Sequence, residues 1–186
     1  MSTLPIDGNP ELAETLAHIP ADRRAQLVER VCQGFVLPLH SVHGPAHWLR
    51  VRENGLRLAA LLGVDPAVVE LFALFHDSRR LNDHADPDHG RRAAELLTTL
   101  RQPLGFVPDI DFDRLLFACT HHTAGWTEAD LTVQACWDAD RLDLGRVGIR
   151  PDPGRLCTAA AREPSLLAWA YARSLAGRRT GRGERS

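Results

Sequence analysis

The segment Pro66-Ala-Val-Val-Glu-Leu-Phe-Ala-Leu-Phe-His-Asp77 decides the fold class. Val69, Phe72 and Ala73 lead by steps of three and four to His76, which is the spacing of one face of an α-helix, and Asp77 follows directly. Pro66 after Asp65 is a helix start, because the first turn has no use for the missing proline N–H. An ionised aspartate beside so apolar a run is costly to bury alone, so a cationic partner is expected next to Asp77.

The same periodicity spreads outward in both directions. Stretches separated by short Pro, Gly and Asp turns predict helices over 10–18, 21–35, 45–62, 66–79, 87–101, 111–123, 127–138, 153–161 and 164–177. Almost nothing reads as strand. With no internal repeat and no long linker, the expectation is an all-α chain folded as one compact helix bundle over 1–177, with a disordered basic tail over 178–186. Apolar residues make up 44% and charged residues 25%, a globular composition, and no apolar run reaches the ~18 residues of a membrane span. The opening Met1-Ser-Thr-Leu-Pro-Ile-Asp7 lacks the basic and apolar regions of a secretory signal, so a soluble, cytoplasmic protein is expected. A net charge of −2, with no basic stripe carrying interleaved aromatics, argues against a nucleic-acid polymer as partner. Cys32, Cys119, Cys136 and Cys157 form no C-x-x-C pair and read as reduced, mostly buried thiols.

The histidines fall on the inward faces of these helices. His47 lies in line with Val51, Leu58 and Leu62, while Arg50, Glu53 and Arg57 mark another face. His89 shares a face with Ala93, Leu96 and Leu100; His122 shares one with Leu115, Ala118 and Cys119, and His121 one with Phe117. In Ala135-Cys-Trp-Asp-Ala-Asp-Arg-Leu-Asp143 an apolar helix delivers Asp138 and then Asp140. Neutral imidazole and carboxylate suit divalent ions, and a buried ion would offset the desolvation of Asp77 and Asp138 together. One or two divalent metals (Mn, Fe, Co, Zn, Ni or Mg) are therefore expected in the interior. His84 competes with His89, although Asn82-Asp-His-Ala-Asp-Pro87 reads as a loop; His18 and His40 read as structural or surface residues.

At these residues the chain resembles the HD-domain superfamily, metal-dependent enzymes named for an adjacent His-Asp pair on a helix. Their ligand order of His, His-Asp, Asp is matched by His47, His76-Asp77 and Asp138. The setting is similar too, in His43-Gly-Pro-Ala-His-Trp-Leu-Arg-Val51 and Trp137-Asp-Ala-Asp-Arg-Leu-Asp143, and the likeness runs from about 43 to 148. The resemblance implies an HD-type helix bundle. Branches with two further histidine sites bind two metals bridged by the central aspartate. It implies one metal on His47, His76, Asp77 and Asp138, and a second sharing Asp77 and adding His89 and His121 or His122. Arg80 stands where the cyclic-dinucleotide branch has Lys, and no Gly-Tyr-Pro motif is present, which argues against that activity. The alarmone hydrolases carry this domain in much longer chains.

The superfamily's commonest activity is phosphate-ester hydrolysis, so the resemblance implies a metal-dependent phosphohydrolase acting on a small phosphorylated metabolite or nucleotide. Arg79, Arg80 and Arg141 are the candidate phosphate-binding residues, since guanidinium matches phosphate oxygens bidentately, and His43 lines the entrance or bonds a ligand. Asp77, Arg80 and Asp140 are the catalytic candidates, with Asp140 orienting a ligand histidine or acting on a proton. Trp48, Trp126 and the segment 139–156 are candidate pocket walls. Two rivals stay open: a diiron oxygenase with the same extra histidines, separated from the hydrolase by its metal, and a non-enzymatic binding module that retains a metal. A homodimer is the generic expectation for oligomeric state.

Overall fold

The computed structural model of the chain describes residues 10–180, with side chains over 11–176. Residues 1–9 and 181–186, and with them the chain start and most of the expected basic tail, lie outside the described part. Among the described residues all regular structure is helical: α1 (Pro10–Thr15), α2 (Ala21–Cys32), α3 (Pro45–Leu62), α4 (Pro66–Phe75), α5 (His89–Thr99), α6 (Asp109–His121), α7 (Leu131–Arg141), α8 (Ala159–Arg162) and α9 (Pro164–Thr180). Two short 3-10 turns, Leu144–Val147 and Pro153–Arg155, fill the stretch between α7 and α8. None of the described helices is long and apolar enough to cross a membrane.

The helix α4 is the axis of the bundle. Every residue from Val68 to Phe75 is buried, as expected of a helix that is apolar on all sides. Burial of Leu71, Phe72, Leu74 and Phe75 contributes about 1.5–3 kcal/mol apiece relative to exposure. Its one charged residue, Glu70, accepts hydrogen bonds from Arg52 Nε (2.9 Å) and the His18 backbone N–H (2.9 Å), which offsets its desolvation. The Asp65 side chain caps the helix start by accepting from Ala67 N–H at 2.8 Å.

Around this axis α3 packs on α4 and α7, while α5 packs on α6. Two glycines permit the close approaches. A Cβ at Gly55 of α3 would meet Val69 Cγ1 at 2.1 Å, and one at Gly90 of α5 would meet the Cys119 carbonyl of α6 at 2.3 Å. The helix α3 ends at Gly63, whose φ of 71° is the left-handed conformation that glycine adopts without strain.

Several helix bounds differ from the sequence expectation. The helix expected over 66–79 stops at Phe75, with His76 as its C-cap. The one expected over 127–138 starts at Leu131, where Asp130 accepts from Thr132 N–H, and continues to Arg141. The single helix expected over 153–161 is broken into a 3-10 turn and the short α8. The final helix runs to Thr180, past the residue 178 at which disorder was expected.

Candidate metal centre

His47 lies in the first turn of α3, His76 caps the C-terminus of α4, His89 opens α5, His122 caps the C-terminus of α6, and Asp140 lies in the last turn of α7. All five thus lie at or within a turn of a helix end. Asp77, next to His76, is 1% exposed and stands among them.

The donor atoms fall into two groups that share Asp77. In the first, His47 Nε2 and His76 Nε2 lie 3.6 and 3.8 Å from Asp77 Oδ2. Asp140 Oδ1 joins them, 3.3 Å from His47 Nε2 and 3.9 Å from His76 Nε2. In the second, His89 Nε2 and His122 Nε2 lie 3.0 and 3.5 Å from the other oxygen, Asp77 Oδ1. His47, His76 and Asp77, and likewise Asp77, His89 and His122, place their donor atoms within 4.8 Å of one another, close enough to hold one metal ion per group.

The hydrogen bonds on the far sides of the rings support the metal reading. Nδ1 of His76 faces the carbonyls of Phe72 (3.1 Å) and Ala73 (3.2 Å), Nδ1 of His122 that of Cys119 (2.8 Å), and Nδ1 of His89 that of Asp86. A carbonyl only accepts, so in these rings Nδ1 carries the hydrogen and the neutral form leaves a lone pair on Nε2. His47 Nδ1 donates to Asp143 Oδ2 at 2.7 Å, and Arg50 Nε donates to Asp143 Oδ1 at 2.7 Å. Yet Nε2 of His47 and His76 are 3.1 Å apart, and Nε2 of His89 and His122 are 2.8 Å apart. With Nδ1 carrying the hydrogen, each pair of facing Nε2 atoms is placed to share one cation. The outer partners fix tautomer and ring orientation as they do around protein-bound metals.

Two buried oxygens lack any hydrogen-bond partner among the described residues, and they are Asp77 Oδ1 and Asp140 Oδ1, one in each group. An orphaned buried carboxylate oxygen costs several kcal/mol, and coordination to a metal ion would remove that cost. Electrostatics agree with this. Burial alone would raise the Asp77 pKa, but the surrounding imidazoles of His76, His122, His43 and His89 hold it well below the usual carboxylate value. Asp140 is likewise held low, burial being outweighed by the neighbouring His47 ring and the Arg146 charge. Burial pushes His76 down to about 3 and keeps it a neutral donor. For His122, burial acts downward but Asp77 and Asp140 raise the pKa above the ordinary histidine value.

Several residues singled out from sequence lie elsewhere. Asp138 faces away from the cluster: its carboxylate accepts from Cys157 N–H (2.7 Å), Thr158 N–H (2.8 Å) and Thr158 Oγ1 (2.8 Å), fixing the start of α8. Residues two apart on a helix point about 200° away from each other, so only one of Asp138 and Asp140 can face the histidines, and it is Asp140. His121, one residue before His122, turns outward and stacks on Trp126 with ring centroids 4.8 Å apart. His84 is exposed, which leaves His89 as the interior residue. Arg79 caps α2 through the carbonyls of Arg30 and Val31, and Arg141 binds the carbonyls of Trp126 and Arg155, so neither faces the donor atoms. Arg80 does reach them, with Nη1 3.2 Å from His89 Nε2 and 3.5 Å from Asp77 Oδ1. His43 is also in place, its Nδ1 2.6 Å from Asp77 Oδ2. Trp48 is core, edge-on to Phe35 at 5.0 Å. The segment after Asp140 lines a cavity of about 300 Å3 with Gly125, Leu144, Ile149 and Arg155 among its walls.

Asp143, Arg50 and Arg146 were not singled out by the sequence reading. A signal was present for two of them, because Arg50 follows His47 by three residues, one turn along α3, and Asp143 follows Asp140 by the same interval just past the end of α7.

In comparisons with known proteins, no family model, curated protein or solved structure matches the chain. The functional reading therefore rests on the donor geometry and on the resemblance of its motifs.

Proposed function

We propose that the chain is an enzyme, a metal-dependent phosphohydrolase of the HD-domain type, acting on a small phosphorylated metabolite or nucleotide with two divalent metals bridged by Asp77. One observation carries this reading: the two oxygens of a single buried carboxylate are each aimed at a separate pair of histidine Nε2 atoms. A bound divalent metal lowers the pKa of its water from 15.7 toward about 7 and so supplies a nucleophile at neutral pH.

The protein's own residues divide the remaining work. His47, His76 and Asp140 would hold one metal and His89 and His122 the other, with Asp77 shared between them. Asp143, itself anchored by Arg50, fixes the tautomer and tilt of His47. His43 donates to Asp77 Oδ2 and holds the bridging carboxylate in its plane. Arg80 places positive charge beside the second group, where a phosphate oxygen would carry negative charge.

The rival enzymatic reading is a diiron oxygenase, which the four imidazoles favour because imidazole suits iron as well as zinc or copper. The deciding experiment loads the protein with Mn, Co, Zn or Fe and measures phosphate release from a panel of phosphomonoesters and nucleotides alongside oxygen uptake. The proposal expects release with a non-redox metal and a loss of at least about 100-fold in Asp77→Asn. Oxygen consumption by the iron form without phosphate release under any metal would replace it with the oxygenase.

A further inference from the structure

Arg146 lies in the 3-10 turn just after α7, and its guanidinium is placed beside the first donor group. Its side chain is only 7% exposed, with Nη1 3.6 Å from Asp140 Oδ1 and 4.0 Å from Asp143 Oδ2. Neither contact is a hydrogen bond, and Asp140 Oδ1 has no such partner. Within the protein Nε donates to the Val42 carbonyl at 2.9 Å and Nη1 to the Asp143 carbonyl at 3.3 Å. Nη2 makes no hydrogen bond among the described residues.

A guanidinium has five N–H donors in a rigid fork. Arg146 commits two of them and holds the remaining three, on Nη1 and Nη2, next to the carboxylate that completes the first metal position. The other arginines nearby are engaged: Arg79 and Arg141 with backbone carbonyls, Arg50 with Asp143, and Arg80 with the carbonyls of Asn82 and His84 and with His89.

We infer that Arg146 is the substrate's anion anchor, donating from Nη1 and Nη2 to an oxygen of a tetrahedral oxyanion bound at the His47–His76–Asp77–Asp140 position. The inference rests on the phosphohydrolase reading and assigns it a binding residue. It also fixes which end of the cluster the anion enters, on the Val42 side, since Nε tethers that connection. Because Arg80 stands at the second donor group, an oxyanion spanning both metal positions meets a guanidinium at each end. A neutral substrate would leave the Arg146 donors unused.

The test is calorimetric titration of the Mn-loaded protein with inorganic phosphate, so that binding is read without turnover, together with metal content and thermal midpoint. Loss of two charge-assisted hydrogen bonds is expected to weaken phosphate binding roughly 10–100-fold in Arg146→Gln, with metal content and midpoint near wild type. Arg146→Lys, which keeps the charge but not the fork, is expected to bind at least several-fold more weakly than wild type. Should the Gln variant fail to fold, the Lys variant decides alone. Wild-type phosphate affinity in a folded Arg146→Gln, or in Arg146→Lys, overturns the assignment while leaving the phosphohydrolase reading intact. Weakening that only follows loss of metal overturns it too. Absence of phosphate binding to the Mn-loaded wild type overturns the phosphohydrolase reading and this assignment with it.

Discussion

At the residue scale, Asp138 and Asp140 divide a structural from a metal-facing role within two positions of α7. Asp138 is fully buried and accepts three hydrogen bonds from Cys157 and Thr158, whereas Asp140 Oδ1 accepts none and lies 3.3 Å from His47 Nε2. The two replacements therefore have opposite signatures. Asp138→Ala should lower stability by roughly 2–4 kcal/mol in urea unfolding and leave metal content near wild type, because it strands three donors at the start of α8. Asp140→Asn should cut metal affinity about 10–100-fold and cost the metal-free protein less stability than Asp138→Ala, because it strands no hydrogen-bond donor. A swap of these outcomes would return the ligand role to Asp138. Cys119 and Cys136 give a second residue-scale expectation: burial raises both thiols above their ordinary pKa, so neither should react with iodoacetamide in the native protein at pH 8.

At the element scale, the site depends on how closely α5 lies on α6. His89 and His122 meet across that contact, and Gly90 keeps it close, with only 3.2 Å from its would-be Cβ to His122 Nδ1 as well as 2.3 Å to the Cys119 carbonyl. Gly90→Ala should force the helices apart and lose the second metal before the first, read as a drop from two metals toward one per chain. Full retention of both would contradict the close-packing account. How much of the site is legible in sequence also follows from its elements. On α3, α4 and α5 the apolar stripe predicts an inward His47, His76 and His89, because these helices begin at Pro45, Pro66 and near Pro87, where the phase of the helix is set. Around α6 and α7 the phase is lost. Both faces of α6 carry apolar residues near its end, so nothing local separates His121 from His122. The start of α7 falls at Leu131 rather than 127 and its end at Arg141 rather than 138, so a helix that was expected to stop at Asp138 in fact carries Asp140 around to the opposite side. Arg146 could not be read at all. Its place depends on a 3-10 turn and on a carbonyl more than a hundred positions away in the chain.

At the scale of the whole molecule, five helix ends converge on one buried cluster, and stability becomes coupled to what that cluster binds. In the metal-free protein the sign of the pH dependence follows from two rings. Burial depresses His76 from 6.5 to about 3, so its contribution to stability is complete above pH 6.5 and is lost as pH falls from there toward 3. For His122 burial acts downward, but the Asp77 and Asp140 charges raise it, so its contribution is complete below pH 6.5 and is lost as pH rises through its folded value. Metal-free protein should thus be most stable near pH 6.5 in urea titrations. The acid limb should have a slope of about 1.4 kcal/mol per pH unit for one proton. His76→Leu should flatten that limb, and an unchanged limb in this variant would remove His76 as its source. Metal bound only by the folded state should add RT ln(1 + [M]/Kd), about 2.7 kcal/mol at 100 times Kd, and raise the midpoint at neutral pH.

The central claim is that Asp77 bridges two metal positions. Elemental analysis of the purified, metal-reconstituted protein, with the metal-to-chain ratio measured in wild type and in Asp77→Asn, tests it most directly. The account predicts close to two divalent metals per chain in wild type and, because both positions share the one carboxylate, loss from both in the variant. A wild type that binds no metal after reconstitution, or an Asp77→Asn protein that keeps its full complement, would contradict it.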